Sequence, residues 1–92
     1  MIYECHITCH QADAAKATEV AEFGGWKTSE ITRDPTLGNK TFFYLTTHDR
    51  DVVRIHQRMY QCSAALKAVG IEVLREKIEL IVYDTKQNAK SL

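Results

Sequence analysis

This 92-residue chain has no excess of either charge: twelve Lys and Arg stand against twelve Asp and Glu. A domain that tracks a nucleic-acid backbone ordinarily carries a basic surplus, because neutralising phosphates supplies most of the affinity. Nucleic acid is therefore not the expected partner. Long hydrophobic runs are missing too. The longest are four residues, FFYL at 42–45 and LIVY at 80–83, against about 20 for a spanning helix, so no membrane association is expected. Met1 opens into a strand-like segment with no basic and apolar leader, and three cysteines suggest no disulfide framework. Both point to a reducing, cytoplasmic location. No repeat, low-complexity tract or interdomain linker interrupts the chain. No P-loop, dinucleotide fingerprint or nucleophile–base pair stands out, and no cofactor is expected. A chain of this length makes one domain with a modest core, expected over 1–84 with a flexible polar tail at 85–92.

Periodicity supplies the elements. From Ile2 to Cys9 the side chains alternate, Tyr3, Cys5, Ile7 and Cys9 on one face and Glu4, His6 and Thr8 on the other. Period 2 with one apolar face is a half-buried strand. A helix follows, with Asp13 as its expected N-cap, Ala14, Ala17, Val20 and Ala21 as its buried stripe, and Gly24–Gly25 as its stop. WKTSEIT, 26–32, reads as a weaker edge strand. RDPTLGNK, 33–40, reads as a loop, and TFFYLTTH, 41–48, as a strong strand. Asp49 or Asp51 can cap a second helix. Its apolar positions Val52, Ile55, Met59, Cys62, Leu66 and Val69 step by three and four, with Gly70 just past its end. IEVLREKIELIVYD, 71–84, reads as one long strand or two segments, with a bulge near Glu76 to keep that carboxylate off the apolar face. The order β-α-β-β-α-β predicts a ferredoxin-like α+β sandwich, a four-stranded antiparallel sheet with both helices on one face and the other face open.

The segment YECHITCH, 3–10, holds two cysteines and two histidines. A tetrahedral metal site needs four converging ligands, but a strand sends Cys5 and Cys9 to one side and His6 and His10 to the other. The cysteines, with Cys62, read as small buried hydrophobes, and no metal site is expected.

The open face is where the candidate site lies. Arg75 and Lys77 share it with His6 if the last strand pairs beside the first, forming a cationic pocket for a phosphate or carboxylate. The same charges also read as cross-strand ion pairs with Glu4 and Glu79. The expected ligand-binding set is His6, Thr8, Tyr44, His48, Arg75 and Lys77, with Tyr44 and His48 at the rim. His-Ile-Thr at 6–8 resembles half of the paired H-x-T/S motif of the 2H phosphoesterases. That resemblance implies a catalytic role for His6 as general acid or base on a phosphodiester, with the Thr8 hydroxyl holding the phosphate. This chain carries one such motif where the family has two. NKTFFYLTTH resembles the aromatic strand of the RNA-recognition motif, which implies base stacking by Phe42 and Tyr44. The motif's small residues are absent, and the pattern leaves open whether Phe42 and Tyr44 or Phe43 and Leu45 face the core. Arg50, Arg54 and Arg58 repeat every four residues, as a solvated helical face or an anion-binding ladder.

A last strand of fourteen residues would span roughly 46 Å, more than a small sheet pairs internally, so a homodimer through that strand or the open face is expected. The leading expectation is a homodimeric binding or regulatory protein that takes a small anionic ligand or a protein partner on the open face. The alternatives are a small enzyme using His6 as general acid or base on a phosphoester or small organic acid, and an RNA-binding module.

Overall fold

The alternation in the first strand decides which residues meet. A computed structural model describes residues 1–31 and 40–82. Strand β1 (Ile2–His10) leads through a short 3-10 turn, Gln11–Asp13, into helix α1 (Ala14–Gly24). Strands β2 (Lys27–Ile31) and β3 (Phe42–Asp49), helix α2 (Val52–Ala68) and strand β4 (Arg75–Ile81) follow. The sheet is antiparallel throughout, in the order β2-β3-β1-β4. The fold is the ferredoxin-like sandwich, with the first and third strands inside and β2 at an edge. The loop expected at 33–40, apart from Lys40, lies outside the described residues. So do residues 83 and 84 of the last strand and the tail at 85–92.

Cys5, Ile7 and Cys9 of β1 join Phe43 and Leu45 of β3 in one buried cluster, closed from above by Ala17 and Ala21 of α1 and Ile55, Cys62 and Leu66 of α2. The alanine stripe lets α1 lie close to the sheet. The remaining ambiguity in β3 is resolved here: Phe43 and Leu45 face the helices, while Phe42 and Tyr44 turn to the opposite face yet are also buried. The cysteines are free thiols in this core, and burial pushes Cys5 up to about 12 and Cys9 and Cys62 up to about 11. Thiols held protonated are neither nucleophiles nor metal ligands.

Helix ends follow local chemistry, with one exception. Asp13 stands at the N-cap of α1, but its carboxylate takes no helix N–H. The 3-10 turn before it continues straight into the helix, so the first amide groups have another lead-in. At the other end Gly25 adopts φ 75°, which suits glycine. Gly24 is constrained by space, since a Cβ there would stand 3.0 Å from Trp26 Cδ1. Gly70, at φ 84°, follows Val69, the C-cap of α2. Of the stripe on α2, Ile55, Cys62 and Leu66 are buried and Met59 is partly buried, whereas the terminal Val52 and Val69 remain largely exposed.

Two expectations are corrected. Strand β4 has seven residues, about 23 Å of chain, because residues 71–74 lie outside its ladder, Leu74 N making a single 2.8 Å bond to the Thr8 carbonyl. The excess length that argued for a dimer is therefore absent from the described part of that segment. No bulge relieves Glu76: pairing with β1 runs unbroken from Arg75 to Ile81, and Glu76 accepts a 2.7 Å hydrogen bond from the Ser63 hydroxyl of α2. A partner on the facing helix does what a bulge would have done. Of the two readings of the α2 arginines, their contacts disfavour the anion-binding ladder. Arg54 Nε donates to Asp49 at 2.7 Å, and Arg58 lies 5.9 Å over the Trp26 ring while donating to the His48 carbonyl at 3.1 Å. The hydrogen bond from Arg54, with that from the Asp51 amide, holds the Asp49 carboxyl down at about 2.

Asp51 is the working cap of α2, accepting from Val53 N at 2.8 Å and Arg54 N at 3.1 Å. Asp51→Ala leaves both donors to water and should cost about 1 kcal/mol. In urea it should lower the unfolding midpoint at unchanged slope. An unchanged midpoint would show that the cap contributes nothing.

Candidate functional site

Pairing lays the open face out in rows. Lys27, Thr46, His6 and Lys77 stand side by side across the four strands, and Ser29, Tyr44, Thr8 and Arg75 form the next row. A third row runs His48, Glu4, Glu79. Sheet register alone therefore gathers five of the six candidate residues. A cavity of about 170 Å³ is lined by His6, Thr8, Tyr44, Arg75, Lys77 and Glu79, with Ile31 at the β2 side. Thr8 is 1% exposed and Tyr44 6%, so they form the floor and the charged residues form the wall. Tyr44 was expected at the rim and is instead beneath it. Phe42 is 8% exposed. Neither ring offers the bare platform that base stacking requires.

His48 lies outside the cavity and joins the site through Glu4. The Glu4 carboxylate accepts from His48 Nε2 at 2.6 Å through one oxygen and from His6 Nε2 through the other. His6 Nδ1 is 2.9 Å from the Thr46 hydroxyl, which fixes the ring plane. Glu79 is directly opposite Glu4 across the β1–β4 pair, its nearer oxygen 3.9 Å from His6 Nε2. Lys77 Nζ, two residues along on the same face, sits 2.9 Å from that same oxygen. The expected ion pairing of Lys77 with Glu79 is thus present, within one strand and not across two.

The four candidate metal ligands of YECHITCH separate as strand geometry requires: Cys5 and Cys9 are buried in the core, and His6 and His10 project on the other side. His10 turns away from the cavity to Glu72, 3.2 Å distant, and its ring centre is 6.4 Å from that of Phe42. Sequence reasoning gave Glu4 only a charge-pairing role, although it is the one group that ties both histidines together. The signal was available in register: Glu4 falls on the same face as His6, and TTH places His48 on the matching face of the next strand. Reasoning from the sequence also missed a second concavity. A groove of about 640 Å³ runs between the helices, lined by Val20, Trp26, Ala65, Ala68 and Val69, with Phe23 98% exposed on its rim.

Burial pushes the Glu4 carboxyl upward, but hydrogen bonds from His48 and His6 and the nearness of the two rings outweigh it and hold the group below its ordinary 4.5. A depressed carboxyl stabilises the fold above its unfolded value and loses that contribution as pH falls through the folded one. Glu4→Gln should therefore melt below wild type at about pH 6, with the gap narrowing toward about pH 3. A gap that stays constant over that range would mean that the imidazoles do not hold the carboxylate.

No protein-family model matches the chain, and no curated protein matches it. Among solved structures, the de novo designed protein Foldit4 is similar with a TM-score of 0.56 over 88% of this chain and 97% of that one, at 10% identity. At that identity the likeness is one of fold alone. No helix among the described residues is long and apolar enough to cross a membrane.

Proposed function

We propose that the chain is a homodimeric binding protein that holds a small anionic ligand, a phosphate or carboxylate, in the open-face cavity. The observation that carries this reading is the composition of the wall and floor: Arg75, Lys77 and His6 around the buried hydroxyls of Thr8 and Tyr44. Two cations supply charge, a planar guanidinium matches the fork of a carboxylate or phosphate, and hydroxyls on a rigid sheet fix orientation. Glu79 on the same wall partly offsets the positive charge, which favours a compact anion that can draw Lys77 away from it. About 170 Å³ suits a phosphate or a small organic acid, below the 300–1,000 Å³ or so of drug-sized sites.

Pairing of Glu4 with His6 also resembles a carboxylate–imidazole dyad, the element an acid–base enzyme would need. That reading is weaker, because both ring nitrogens of His6 are already engaged.

Thermal melts with inorganic phosphate, mononucleotides and simple carboxylates test the binding reading. An anion at 100 times its dissociation constant should stabilise the fold by about 2.7 kcal/mol, several degrees for a domain of this size. Arg75→Ala and Lys77→Ala should each weaken the shift. A flat panel, or a shift that survives both substitutions, overturns the proposal.

The dimer is supported by β4 itself, an edge strand whose outer side meets no described strand. If two copies pair antiparallel with Ile78 opposite Ile78, Lys77 of each protomer falls opposite Glu79 of the other. That arrangement extends the sheet and makes the edge complementary in charge. Leu80 and Val82, exposed beside it, would be covered. A proline at Ile78, which cannot join a ladder, would also break the monomer, so the chosen variant is Leu80→Lys. Sedimentation should find wild type as a dimer and Leu80→Lys shifted to monomer. A monomeric wild type at tens of micromolar would reject the dimer and leave the cavity reading standing.

A further inference from the structure

On the open face, two carboxylates stand directly opposite each other. Glu4 and Glu79 are cross-strand partners in β1–β4, a juxtaposition that costs stability unless a cation lies between or beside them. Lys77 answers half of that charge at Glu79. Glu4 has the two imidazoles. We propose that Glu4, His6 and Glu79 form a binding site for a divalent first-row transition ion such as Zn²⁺ or Co²⁺, with His48 orienting the Glu4 carboxylate.

Geometry is the first argument. One ligand atom from each of Glu4, His6 and Glu79 lies within 4.8 Å of the other two. Two donors on a tetrahedral ion, each about 2.1 Å from it, stand about 3.4 Å apart. The His6 Nε2 to Glu79 Oε1 separation of 3.9 Å is within a small rotamer adjustment of that value. All of these side chains project from adjacent, paired strands, so the scaffold under them is rigid.

The second argument is the outer contact of the histidine. A ligating imidazole almost always commits its other nitrogen to a hydrogen-bond partner, which sets the tautomer and the ring plane. His6 Nδ1 is already committed to the Thr46 hydroxyl, so Nε2 is the nitrogen turned toward both carboxylates. The Thr46 hydroxyl can donate to or accept from Nδ1, so Nε2 can be presented to an ion with the ring plane kept and no change of fold. A mixed nitrogen and oxygen donor set suits Zn²⁺, Co²⁺ or Mn²⁺ better than the all-oxygen preference of Ca²⁺ or Mg²⁺.

His48 lies outside that cluster and supports it. Its Nε2 lies 2.6 Å from the second oxygen of Glu4 and so orients the carboxylate. Cys5, Cys9 and Cys62 take no part, being buried behind the sheet. The site shares His6 and Glu79 with the anion cavity but does not rest on anion binding.

The test is a titration with Zn²⁺ by calorimetry and with Co²⁺ by visible absorption, in a non-coordinating buffer free of phosphate and carboxylate. Wild type should bind one ion per chain. The isosteric variants Glu4→Gln and Glu79→Gln, and His6→Ala, should each weaken binding at least tenfold, while His10→Ala, a histidine on the same strand outside the cluster, should leave it unchanged. Far-UV dichroism and melting without metal establish that each variant is folded. Absence of binding by folded wild type, equal affinity in the Glu79→Gln and His6→Ala variants, or loss in His10→Ala overturns the site. Because no anion is present, these outcomes are separate from the fate of the cavity reading.

Discussion

Everything on this sheet is positioned by the central place of β1. The strand pairs with β3 on one side and β4 on the other, and its alternate residues Cys5, Ile7 and Cys9 are fully buried. A slip of one residue would send those three to the open face and drive Glu4, His6 and Thr8 into the core. No such slip can be tolerated: it would expose three core side chains and bury a carboxylate and an imidazole without partners. The core thus fixes the register, and the register fixes the polar site. In the observed register Glu4 meets His48 and Glu79, His6 meets Thr46 and Lys77, and Thr8 meets Tyr44 and Arg75.

This explains which parts were legible in the sequence. Local alternation and 3.6-residue periodicity need only neighbours in the chain, so β1, β3 and α2 could be read directly, and topology followed from their order. The buried alanines of α1 could be read for the same reason. What could not be read were contacts between elements. Nothing local reveals that Ser63 of α2 reaches Glu76 of β4, so an awkward carboxylate suggested a bulge. Nothing local reveals that Arg58 will fold over Trp26, so evenly spaced arginines left a ladder open beside the solvated face. The candidate site was readable to the extent that it depends on facing: five of its six residues line one cavity, and the sixth, His48, is one row away. Glu4 was underrated because its importance comes from having two partners at once, a property of register that single residues do not display.

Charge balance is also more local than the total implies. The chain is neutral overall, yet the open face is divided. Arg75 and Lys77 lie toward one end of β4, and Glu4 and Glu79 toward the other, with His6 between them. Alternation puts these charges on one face, and antiparallel pairing separates them by sign along the strand direction. A neutral total therefore argues against long-range attraction to a polyanion but says little about recognition of a small ion at close range, where a desolvated contact outweighs the distant field.

That division makes the two readings of the open face mutually reinforcing and still separable. Lys77 is shared: its ammonium now neutralises Glu79, which costs the cavity part of its positive charge. An ion held by Glu79 and Glu4 would take over that neutralisation and release Lys77 toward the cavity, beside Arg75. The cavity would then face a metal ion on one flank and two cations on the other, and a small anion could bridge them. Coupling of this kind is reciprocal, because whatever the ion does for anion affinity the anion must do for the ion. Each can nevertheless exist without the other. The metal needs only the row of Glu4, His6 and Glu79, and the anion needs only the row of Thr8 and Arg75 with Lys77 above it. His6 stands at their boundary, and for that reason it is the residue on which most of the chemistry of this face converges.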